Sequence, residues 1–162
     1  MKNNKGFTLI ELLAVIVVLA IVTVIATQSI LPFMSSARID AFAIEATSVI
    51  NSSEDALSFY NLGKVKLDGN TNSCRSGNVV CFTVAELIDL GLYEGDKDVY
   101  KGKVLIDVTN SAVPSYTLYL QKGAEFSIVG SDTTDFTNDG ADIVDGGFAS
   151  DKVNEYTTCS CS

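Results

Sequence analysis

Between Glu11 and Arg38 the chain carries no charged residue, and from Phe7 to Leu31 it is almost continuously apolar. As a helix, those 25 residues extend about 37 Å at about 1.5 Å per residue, enough to cross a hydrocarbon core of about 30 Å with some tilt. Lys2 and Lys5 precede the segment, so the positive-inside rule keeps the N-terminus in the cytoplasm and sends the rest outside. Glu11 is the residue that does not fit. A carboxylate at the centre of a membrane helix costs about 2.5–3.5 kcal/mol on insertion scales, and acids so placed have named partners and functions.

Two plainer readings explain the apolar run and leave Glu11 over. A cleaved secretory signal has an apolar region of about 7–15 residues followed by an A-x-A-like site; this run is longer and lacks that site. A single-pass anchor displaying a ligand-binding head fits the length but gives Glu11 no partner.

The run Lys5-Gly6-Phe7-Thr8-Leu9-Ile10-Glu11 resembles the class III signal sequence of type IV pilins and pseudopilins. The resemblance implies removal of leader 1–6 by a membrane-embedded prepilin peptidase cutting after Gly6, and N-methylation of the new first residue, Phe7. It implies an assembly ion pair between Glu11 and the Phe7 amine of a neighbouring subunit. The mature apolar helix, 7–34, would be a membrane anchor first and a filament core later, and residues 35–162 a globular head. Further partners implied are an assembly platform, an extension ATPase and other copies of the chain. The precursor would sit in the bacterial cytoplasmic membrane and the product in a surface filament, serving adhesion, motility or related roles. A pseudopilin or minor pilin of a type II secretion or DNA-uptake system has the same N-terminus. Where many relatives carry a glycine and a proline, this chain has Ala20 and Gln28. Its nearest proline, Pro32, predicts a kink or local melting around Gln28–Pro32, since proline leaves the carbonyl four residues back without its donor.

Past Pro32 the helical period resumes. Phe42, Ala46, Val49, Ile50, Ser53, Leu57 and Tyr60 form one stripe, with Arg38, Asp40, Glu45, Asn51, Glu54 and Asp55 on the polar side. A helix over 35–62 capped by Gly63 follows. A connecting loop over 63–102 contains one short helix, opened by the capping box Thr83-Val84-Ala85-Glu86 and stopped by Gly91. Strands are predicted at 103–109, 116–120 and 125–129, the last two as a hairpin, within a sheet over 103–130. The fold class is α+β: a long N-terminal helix packed on a small antiparallel sheet, as the resemblance also implies.

Cys74, Cys81, Cys159 and Cys161 form an even set beyond the apolar segment, which in an exported head reads as a disulfide framework rather than a metal site. A Cys159–Cys161 bond would close a ring too tight for the usual Cα separation. Pairing each with one of Cys74 and Cys81 is favoured, and a local Cys74–Cys81 bond is the rival. The acidic segment 131–162 holds Asp135, Asp139, Asp142 and Asp145. It departs from an EF-hand at Thr137 and Gly146, leaving a looser calcium loop as the alternative to a solvated one.

The chain has no histidine, so the commonest general base and metal ligand are missing. Its net charge of −9 argues against direct nucleic-acid binding. No catalytic residue, enzymatic activity or cofactor is expected.

Overall fold

The computed structural model describes residues 8–69, 71–110, 112–132 and 142–161, without the side chains of residues 28, 29, 31 and 32. The chain divides into two compact units that meet after Arg38. The first unit is the N-terminal part of α1 (Leu9–Asn61). Its Leu9–Thr27 stretch is long and apolar enough to cross a membrane, and it is entirely unburied. The helical assignment continues through Pro32, so the local melting predicted there is absent. Proline deletes one hydrogen bond, and the bonds of the adjoining turns suffice to keep the backbone helical. The side chains of Gln28 and Pro32 lie outside the described residues.

The second unit is the head. Phe42, Ala46, Val49, Ile50 and Ser53 of α1 are at most 1% exposed, with Leu57 and Tyr60 partly buried beside them. Ser53 is tolerated on this apolar stripe because its hydroxyl donates to the Ile50 carbonyl at 2.7 Å. The helix ends in a Schellman motif: Gly63, at φ +71°, donates to Tyr60 O, and Lys64 donates to Phe59 O.

The stripe packs on a six-stranded sheet whose order follows the chain: β1 (Ser73–Ser76), β2 (Val79–Thr83), β3 (Tyr100–Asp107), β4 (Ser115–Lys122), β5 (Phe126–Ser131) and β6 (Ile143–Asp145). Every neighbouring pair is antiparallel. Inward-facing Val80, Phe82, Val104, Ile106, Leu118, Leu120 and Ile128 are fully buried in the cluster that includes the helix stripe, and Phe42 stacks on Phe126 with ring centroids 5.6 Å apart. Lys122 Nζ donates to Glu45 Oε1 of α1 at 2.6 Å and lies over the Tyr100 ring. Burial works to lower the Lys122 pKa, but Glu45 and Tyr100 outweigh it and hold it above the usual lysine value.

The sheet is twice as wide as predicted. The presumed loop 63–102 contains β1 and β2 in addition to α2 (Val84–Asp89), and the acidic segment 131–162 contains β6 and α3 (Val153–Thr157). Strand β1 was hidden because Ser73-Cys74-Arg75-Ser76 has no β-branched or aromatic residue; pairing to β2, rather than intrinsic preference, makes it a strand. Thr83 serves twice, as the last residue of β2 and as the N-cap of α2, whose hydroxyl accepts from Glu86 N.

Gly102 in β3 sits at φ +154°, and a Cβ built there would lie 2.0 Å from the Tyr119 carbonyl oxygen of β4. Backbone cannot yield as a side-chain tip can. We therefore expect Gly102→Ala to destabilise the head by about 3 kcal/mol or more, read as a fall in the urea midpoint of the full chain in detergent.

Candidate functional site

Glu11 lies in the first turn of α1, and the structure supplies it with a local partner that the sequence reading overlooked. Thr8 N and Thr8 Oγ1 both donate to Glu11 Oε2 at 2.8 Å, and Glu11 N donates back to Thr8 Oγ1 at 3.4 Å. This is a reciprocal capping box, and Thr8-Leu9-Ile10-Glu11 has its S/T-x-x-E signature. Thr8 thereby fixes the rotamer of Glu11 and holds its carboxylate at the N-terminal end of the helix. That end also carries the positive pole of the helix macrodipole. Gly6 and Phe7, the positions expected to be cleaved and methylated, lie outside the described residues.

Around and beyond Glu11 the apolar side chains have nothing over them. Leu9, Leu13, Val17, Ile21 and Ile25 are each about half exposed or more. A helix apolar on all sides needs lipid or other helices around it.

A profile described as the prokaryotic N-terminal methylation motif matches residues 1–27. The chain carries a type IV pilin-like class III signal sequence. No curated protein and no solved structure shows significant similarity to the chain. With this signal sequence, the N-terminus is that of a type IV pilin- or pseudopilin-like precursor, and the α+β head behind it is consistent with the type IV pilin fold.

At the far end of the described chain, residues 148–161 form a strap across the outer face of the sheet. Cys74 of β1 is bonded to Cys161, and Cys81 of β2 to Cys159, with Cα separations of 6.0 and 5.8 Å. Lys103 of β3 donates to the carbonyls of Glu155 and Thr158 at the end of α3, and its ammonium lies over the Tyr119 ring. Burial pulls the Lys103 pKa down, opposed by the charge of Glu155. Tyr119 of β4 stacks on Tyr156 at 4.9 Å, Phe148 meets Tyr156 edge-on, and Gln121 Oε1 accepts from Phe148 N. One short segment thus touches four consecutive strands. Disulfides aside, these strap-to-sheet contacts had no signal in the sequence, because the partners lie 27 to 55 residues apart and share no periodicity.

The proposed calcium loop is only partly within view. Asp142 accepts from Ser131 Oγ at 2.5 Å and Asp145 ends β6, while Asp135 and Asp139 lie outside the described residues. Among the described residues no group of three or more potential metal ligands comes together.

Proposed function

We propose that the chain is a structural subunit of a type IV pilus, cut between Gly6 and Phe7, methylated on the Phe7 amine and polymerised into a helical surface filament. The observation that carries this reading is the joint presence of the methylation motif and a fully uncovered apolar helix with Glu11 in its first turn. Once the leader is removed, the Phe7 ammonium is itself a charge in an apolar bundle. A carboxylate and an ammonium that are each costly alone become a compensated pair when two subunits meet in one axial register. The head, closed by two disulfides, is built for the outside of such a fibre.

The partners are those this route requires: other copies of the chain, prepilin peptidase, and an assembly platform with its extension ATPase. Before assembly the protein resides in the cytoplasmic membrane, and afterwards on the cell surface.

The intact mass and N-terminal fragments of the protein from its native host test the reading. The expected mature chain begins at N-methylated Phe7 and lacks residues 1–6. A product retaining Met1–Gly6 would instead make the segment a plain membrane anchor.

A further inference from the structure

Cys74 and Cys81 are each bonded to the C-terminal strap, but they are also direct partners across the β1–β2 ladder. Residues directly opposite on antiparallel strands point to the same face, with Cα atoms about 4.5–5.5 Å apart. That separation falls inside the range a disulfide accepts, about 4.4–6.8 Å. Cys74, Cys81 and Cys159 are 2–4% exposed and form one buried cluster, against which Leu105 and the more exposed Cys161 pack. The four sulfurs therefore occupy a single pocket in which two pairings are sterically open. One pairing ties the strap down; the other closes only the hairpin.

We propose that the cluster is a two-state redox latch in which loss of either strap disulfide releases the strap from both of its covalent ties. Suppose a dithiol or a phosphine reduces Cys74–Cys161, the bond that includes the more exposed cysteine. Two electrons enter, the reductant is oxidised, and Cys74 and Cys161 become thiols. The Cys74 thiolate then attacks Cys81 Sγ. A Cys74–Cys81 bond forms, the Cys81–Cys159 bond breaks, and Cys159 leaves as a thiolate that takes up a proton. No further electrons are needed.

Reduction of Cys81–Cys159 instead leaves a Cys81 thiolate opposite Cys74. Its attack on Cys74 Sγ breaks Cys74–Cys161 and expels Cys161. Both routes converge on one product: a bonded hairpin and a C-terminal segment with two free thiols. The exchange is favoured kinetically because β1 and β2 remain paired, so attacker and target are held together while the strap is not.

The test is limited reduction of the full-length chain in detergent micelles with one equivalent of a trialkylphosphine. Acid quenching, alkylation and peptide mapping identify the bonds. The expected partly reduced species contains Cys74–Cys81, with Cys159 and Cys161 both alkylated. Partly reduced protein that retains Cys74–Cys161 or Cys81–Cys159 overturns the proposal. A second measurement uses the Cys159→Ser/Cys161→Ser double variant, in which the latch can adopt only the hairpin state. Alkylation of the oxidised, denatured variant is expected to find no free thiol, and two free thiols would refute the pairing.

Discussion

Replacement of Glu11 by alanine is expected to leave the chain in the membrane with its head folded, and to abolish filaments. Membrane insertion should be unharmed, since the change removes a charge from an apolar helix. The head should also be unharmed, because Glu11 lies in the other compact unit and its carboxylate bonds only to Thr8 among the described residues. What disappears is the proposed partner of the Phe7 ammonium. Breaking a buried ion pair by deleting one side costs about 3–5 kcal/mol, which weakens each subunit addition by roughly two to three and a half orders of magnitude. Thr8→Val is the informative companion. It removes the hydroxyl half of the capping box, a loss of about 1 kcal/mol, yet leaves the carboxylate in place. Filaments should persist in Thr8→Val and vanish in Glu11→Ala. The readouts are the filament yield in sheared surface fractions and the amount of intact precursor in membranes. Equal filament yields from Glu11→Ala and the unmodified protein would end the ion-pair account.

The order of those effects mirrors how much of the protein was legible in its sequence. Signals written within a few residues read correctly. The stripe from Phe42 to Tyr60, the Gly63 stop and the Thr83 cap each depend on a local period or a single backbone requirement, and each is present in the fold. Thr8 is equally local: it caps the helix in which Glu11 is the third residue, and the S/T-x-x-E pattern is complete within four positions.

Strands β1, β2 and β6 failed for a different reason. The side chains of β1 do not favour a strand and β6 is only three residues long, so pairing with a neighbour decides the matter for both. Residues 79–83 have good strand formers, but the polar stretch before them made the whole region look like a connection. The strap was the least legible part. Lys103 to Glu155 or Tyr119 to Tyr156 is a relation between a strand and a chain end that only the folded sheet brings together. The cysteine spacing narrowed the disulfide pairings without distinguishing which C-terminal cysteine meets which strand.

The strap is also where covalent chemistry should matter most for stability. Its two bonds span 87 and 78 residues, and closing a loop of that size is worth about 4.5 kcal/mol on chain-entropy grounds. The second bond adds less, because it closes nearly the same loop. Full reduction of the protein, or substitution of all four cysteines by serine, should therefore lower the melting temperature of the head by about 15 °C. Loss of Lys103 alone should do far less. The comparison depends on where the noncovalent contacts lie. Tyr156 on Tyr119, Phe148 on Gln121 and Lys103 on the α3 carbonyls hold the strap to β3 and β4, whereas the disulfides hold it to β1 and β2. Reduction should thus loosen the β1–β2 side first and leave the helix–sheet core intact, since that core uses none of the four cysteines. Hydrogen exchange of the full chain in detergent, before and after reduction, checks this. Protection should fall in residues 73–83 and 148–161 and persist in β3, β4 and the Phe42–Leu57 stretch of α1. Uniform loss of protection across the sheet would mean that the disulfides support the core itself, a role their position on its outer face does not give them.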